Sequence, residues 1–127
     1  MPSLIYEGIF ESFPDVKVVI VHGGGYLPHY TAPLDRNVTA HPISAKNLKH
    51  VPTDYLKCFY YDSCVYSPVL LEALIRGVGA DRIILGTDYP FGEDDPMGII
   101  RKVAGISRED VDKIISRTPA AILGLAI

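Results

Sequence analysis

The chain has 127 residues, of which 48% are hydrophobic and 21% charged, a length and apolar content that suit one folded domain and exclude a disordered segment. Fifteen acidic against twelve basic residues leave a formal charge of −3, and the lysines and arginines are scattered, which argues against a nucleic-acid partner and for small molecules or other protein chains. No apolar run approaches the ~18 residues of a membrane span and no basic-then-apolar leader opens the chain, so no membrane partner is expected and the cytoplasm is the expected address.

Residues 2–12 place Leu4, Ile5, Ile9 and Phe10 at helical spacing, and Phe13-Pro14-Asp15 ends the pattern as a turn. The near-continuous apolar run 16–21 predicts a strand buried on both faces, as in a parallel sheet covered by helices. It runs into His22-Gly23-Gly24-Gly25. Residues 26–37 predict a helix made short or broken by Pro28 and Pro33, and 38–53 a long loop of the kind that is usually functional or mobile. A short aromatic strand is expected at 58–62. Ser67-Pro68 then reads as an N-cap with proline at the first helical position, opening a helix over 69–76 that stops at Gly77. The third strand is expected at 81–85. Helices follow over 98–103, from Ser107 with Glu109 and Asp110 in its first turn, and from Thr118-Pro119 to Leu123. Strands alternating with helices imply an α/β fold of parallel βα units, and no repeat or linker divides the chain.

Two of the predicted strands end in groups that carry chemistry. Asp88 follows Gly86-Thr87 after the third strand, and His22 follows the first directly. In parallel α/β architectures functional residues come from the carboxyl ends of strands, which makes both catalytic candidates. Asp88 offers a hard anionic oxygen to zinc, manganese or magnesium. The alternative is a turn aspartate leading into Tyr89-Pro90. His22 can bind metal or act as a general base, or it can be a structural histidine bonded to a neighbouring strand.

The glycines after His22 resemble one half of an esterase oxyanion hole, but the chain has no G-x-S-x-G to supply the serine. A dinucleotide site would need glycine where Pro28 stands. The glycines are therefore expected to let the backbone pass close to a substrate or metal. Cys58 and Cys64 match no metal or redox spacing and read as core thiols. His29 is expected to face solvent, while His41 and His50 are weak candidates for a lid. Asp62 is eligible for the same mouth or for a turn at Ser63. Tyr60, Tyr61, Tyr66 and Tyr89 are expected to pack with exposed hydroxyls.

These pieces, in order, resemble the C-terminal part of an amidohydrolase-superfamily enzyme, of the branch that includes aminocarboxymuconate-semialdehyde decarboxylase and related aromatic-acid decarboxylases. The matching residues are Phe13-Pro14-Asp15-Val16-Lys17, Val19 to Gly25, Leu27-Pro28, Tyr61-Asp62-Ser63, Gly79 to Ile83, Gly86 to Phe91, and Ala120 to Leu125. The resemblance implies the last three strands of a (β/α)₈ barrel, incomplete in this chain. It implies that Asp88 ligates a divalent metal, zinc favoured over manganese or magnesium, and that His22 activates metal-bound water or handles a substrate proton. The reaction implied is hydrolysis or non-oxidative decarboxylation of a small carboxylated or cyclic molecule. The family's H-x-H pair and its strand-five histidine have no counterpart here. Decarboxylase-type members carry arginine where this chain has Pro33, which leaves Arg36, three residues later, as the candidate for a substrate carboxylate. Three strands cannot close such a barrel, so a homo-oligomer or a further N-terminal portion is expected. The competing expectation is a non-catalytic homo-oligomeric α/β module.

Overall fold

Strands β1 (Val18–Ile20), β2 (Phe59–Asp62) and β3 (Ile83–Ile84) pair in parallel, in the order β1-β2-β3, in the computed structural model, which describes residues 1–92 and 94–126. The register sets Ile20 beside Tyr61 and Tyr61 beside Ile83, so the three carboxyl ends lie nearly level. Around the sheet run α1 (Pro2–Tyr6), α2 (Ile9–Ser12), α3 (Ala32–Ala40), α4 (Pro68–Val78), α5 (Pro96–Arg101), α6 (Arg108–Asp112) and α7 (Thr118–Leu123). No helix among the described residues is long and apolar enough to cross a membrane.

The central strand carries the core. Phe59 and Tyr61 alternate inward and are fully buried, while Tyr60 and Asp62 are half-buried on the other face. Phe59 meets Phe10 of α2 edge-on at 4.7 Å, and the Tyr61 hydroxyl donates to the Leu56 carbonyl at 2.8 Å. Burial pushes the Tyr61 hydroxyl pKa well up. Helix α4 presents Leu71, Leu74 and Val78 to this core at helical spacing. Its first turn is capped by Ser67, whose hydroxyl accepts from the Leu70 amide, a cap that contributes about 1 kcal/mol.

The expected double-sided burial of the first strand is not met. Val19 is 39% exposed, and Val16 and Val21 are exposed as well. The reason is topological: β1 has β2 on one side and no strand on the other among the described residues. The expected first helix is two short ones, because Gly8 adopts φ +69° and lies so close to the Asn47 carbonyl that a Cβ there would stand 2.8 Å from its oxygen. The expected loop 38–53 is partly ordered: α3 runs on to Ala40, and 3₁₀ turns cover Pro42–Ala45 and Pro52–Cys58.

The last two expected helices are one continuous path. A wide π turn, Lys113–Arg117, joins α6 to α7, with the Thr118 amide donating five residues back to Lys113. Its next bond would need an amide on Pro119, which has none. The Leu85 amide, just past β3, takes that Ile114 carbonyl instead at 3.0 Å and fastens the helix to the sheet.

Candidate active site

Each strand end is followed by a tight turn, and the turns are knotted together by side chain to backbone bonds. The Gly23 and Cys64 amides both donate to Asp62 Oδ1, at 3.0 and 3.1 Å. The Gly86 amide donates to the Ser63 hydroxyl at 3.2 Å, and the Ser63 amide to the Ile84 carbonyl at 2.9 Å. Asp62 is therefore the clamp between the first and second turns, not a group of the mouth. The glycines after His22 also differ from expectation. A Cβ on Gly23 would stand 2.4 Å from the Val65 side chain, and one on Gly24 2.9 Å from the Tyr61 ring, so the close approach is to the protein's own core.

Those turns aim three groups at one another. His22, Tyr66 and Asp88 are the only non-glycine residues among those described with positive φ, at 52°, 55° and 53°. The left-handed region costs an ordinary residue roughly 1–2 kcal/mol, and its concentration here points to a built site. His22 Nε2 lies 4.0 Å from Asp88 Oδ1, and their side chains are 50% and 32% exposed. The Tyr66 hydroxyl donates to Asp88 Oδ2, and the Tyr66 ring stacks at 6.4 Å and 26° on that of His22. That carboxylate, and after it the Cys64 side chain, holds the Tyr66 proton and raises its pKa well above the ordinary range. His22 Nδ1 is 3.3 Å from the Cys64 carbonyl. A carbonyl only accepts, so Nδ1 carries the ring proton and Nε2 presents its lone pair towards Asp88.

Cys64, like Tyr66, is a residue of the site that sequence reasoning missed. Its sulfur, a His22 nitrogen and an Asp88 oxygen all lie within 4.8 Å of one another. One nitrogen, one sulfur and one oxygen donor so disposed fit a divalent cation. His22 and Cys64, but not Asp88, line a cavity of 230 Å³ together with His29, Val65 and Tyr66.

His29 is exposed, as expected, at the rim of that cavity. Arg36 lines a different cavity, of 450 Å³, with Tyr30 and Pro33, apart from the one that His22 lines. His50 packs by Tyr55, their ring centroids 6.1 Å apart, and the His41 carbonyl accepts from Ser44. Cys58 is half-buried, and desolvation pushes its thiol pKa up despite Arg82 nearby.

Residues 1–125 match the family described as Amidohydrolase. A 2-amino-3-carboxymuconate-6-semialdehyde decarboxylase from Dictyostelium discoideum is 30% identical over 126 residues, covering 97% of this chain and 35% of that protein. Among solved structures, 5-carboxyvanillate decarboxylase from Sphingomonas paucimobilis superposes with a TM-score of 0.84 at 27% identity, over 98% of this chain and 38% of that one. A dihydroxybenzoic acid decarboxylase from Polaromonas sp., with bound manganese and the inhibitor 2-nitroresorcinol, gives 0.81 at 27% identity, over 97% and 38%. The chain spans about a third of the length of the proteins it matches.

Proposed function

The chain belongs to the amidohydrolase family, and from that premise we propose that it is the strand-six to strand-eight portion of a metal-dependent decarboxylase acting on small carboxylated aromatic or related acids. The observation that carries the reading is the convergence of His22 and Asp88, 4.0 Å apart, from the turns after the first and third strands at the carboxyl ends of a parallel sheet. The decarboxylase names of its relatives favour C–C cleavage over hydrolysis. A divalent ion supplies Lewis-acid charge to the substrate's oxygens when bound. Asp88 Oδ1 is the oxygen left to hold it, since Tyr66 occupies Oδ2. His22 Nε2 carries the proton exchanged with the substrate carbon as carbon dioxide departs, and the Cys64 carbonyl keeps the ring in the tautomer that frees that nitrogen. The remaining strands come from a longer polypeptide or from further chains, because three strands leave the barrel open.

The test is carbon dioxide release from hydroxylated and aminated aromatic acids by protein purified without chelator, alongside elemental analysis of its metal. Release should fall by at least about 100-fold in His22→Ala, and bound metal should be lost in Asp88→Ala. Cyclic amides opened with no carbon dioxide from any acid would replace decarboxylation by hydrolysis. The second reading, a non-catalytic module, is favoured by the open sheet edges. Folded, metal-free protein without activity in any assembly would establish it.

A further inference from the structure

We infer that Cys64 completes, with His22 and Asp88, a zinc site lying wholly within this chain, and that a zinc ion held there takes His22 out of proton transfer. The inference rests on the reading of Asp88 as a metal holder and adds a sulfur ligand absent from the family's ligand set.

Donor geometry is the first support. The nitrogen, sulfur and oxygen lie within 4.8 Å of one another, and the nitrogen-to-oxygen distance is 4.0 Å. In a tetrahedral zinc site with bonds of about 2.0–2.3 Å, donors stand roughly 3.5 Å apart. Closing on the ion therefore asks the side chains to draw in by about an ångström. Donor orientation is the second. The proton on His22 Nδ1 is engaged by the Cys64 carbonyl, an outer contact of the kind that orients a ligating imidazole. Tyr66 fixes the carboxylate through its other oxygen.

Cys64 itself is the third support. It is 4% exposed and not a member of the main apolar cluster, and its sulfur lies within 4.8 Å of a His22 nitrogen and an Asp88 oxygen. Its backbone is pinned by the amide bond to Asp62, so the sulfur is presented from a fixed point. A buried thiol kept merely for packing gains nothing from such neighbours.

The donor chemistry selects the ion. A thiolate favours zinc or cobalt(II) over manganese or magnesium, whose preferred donors are oxygens. Coordination releases the thiol proton to solvent, and the two anionic donors, Cys64 and Asp88, balance the dication. His22 and Cys64 line the 230 Å³ cavity, from which water or a small ligand can complete the coordination of an ion held there. With its Nε2 lone pair on zinc, His22 has no basic nitrogen left. A harder ion that does not draw in the sulfur leaves the imidazole free.

The test is titration of the 127-residue chain, reduced and free of chelator, with cobalt(II) as the spectroscopic stand-in for zinc. A thiolate-to-cobalt charge-transfer band in the near ultraviolet should rise to saturation at stoichiometric metal. Zinc should abolish it and manganese should not. The band should vanish in Cys64→Ser and persist in Cys58→Ser, each checked for folding by circular dichroism, with Cys64→Ala used if the serine variant unfolds. Zinc affinity should fall in the Cys64 variant by more than the roughly 100-fold that loss of an outer-shell partner costs. Cobalt bound without the band, a band that follows Cys58, or a folded chain that binds no cobalt overturns the inference. Metal bound without the band but lost in Asp88→Ala sinks this site and leaves the decarboxylase reading standing. The band with no carbon dioxide release in any assembly does the reverse.

Discussion

Asp88 is held in place twice, by its backbone and by Tyr66. Its φ of 53° lies where a Cβ crowds the neighbouring carbonyl, and glycine there is free of that cost. Asp88→Gly should therefore be more stable to urea than Asp88→Ala by about 1–2 kcal/mol, although both lose the carboxylate and any metal it holds. Equal stabilities would mean that the turn relaxes once the side chain is gone. Tyr66→Phe keeps the ring on His22 but removes the hydroxyl donor, and metal affinity should drop by roughly 10–100-fold as the carboxylate loses its orienting partner. Isothermal titration with zinc or manganese reads this directly. An unchanged affinity would reduce Tyr66 to a packing residue. His22 and Asp88 were legible in the sequence because an apolar run ending in a polar residue marks a strand mouth locally. Cys64 and Tyr66 were not, because cysteine spacing is counted along the chain, while the contact that matters is made across the sheet and depends on register.

At the scale of elements, the connection between α3 and β2 shows what a local reading misses. Residues 38–53 have no hydrophobic period, yet they are fastened to α2 by one polar knot. The Tyr55 hydroxyl accepts from the Lys49 and His50 amides at 3.0 and 3.2 Å and donates to Glu11, which also pairs with the Lys49 ammonium at 2.8 Å. The hydrogen bond from Lys49, then that from Tyr55, holds the Glu11 carboxyl below the usual range, while Lys49 is raised. A lowered carboxyl pKa stabilises the fold above the ordinary glutamate value of about 4.3 and loses that contribution as pH falls through the folded value. The raised lysine keeps its contribution below its ordinary pKa and loses it as pH rises through the folded one. Glu11→Gln should thus flatten the acid limb of stability against pH between about 5 and 3, relative to the wild-type chain. Parallel limbs in urea unfolding at several pH values would show that Glu11 gains nothing from its partners. Alternation of strands and helices was legible at this scale, since it rests on periodicity. The break at Gly8 and the π turn before Pro119 were not, because each depends on a partner far along the chain, Asn47 and Leu85.

The whole molecule leaves apolar surface and backbone edges uncovered. Outer edges of β1 and β3 have no strand partner among the described residues, and such edges invite pairing with another chain. Val19 on β1 is half exposed, and at the mouth beside Asp88, Tyr89 and Phe91 are 90% and 85% exposed. These are two different surfaces, and two substitutions separate them. The chain alone should self-associate as its concentration rises, as read by light scattering. Val19→Lys places a charge on the edge strand, where lysine is a natural block to strand addition, and should return the chain towards monomer with little loss of stability because the site is not core. Phe91→Ser removes apolar surface at the mouth without touching the edge. If Val19→Lys dissociates the assembly and Phe91→Ser does not, strand pairing across β1 builds it and extends the open sheet. If only Phe91→Ser dissociates it, copies meet mouth to mouth, and the assembly buries the site rather than extending the sheet. The fold would then need strands from another polypeptide to close, and His22 and Asp88 would be accessible to substrate only in that company.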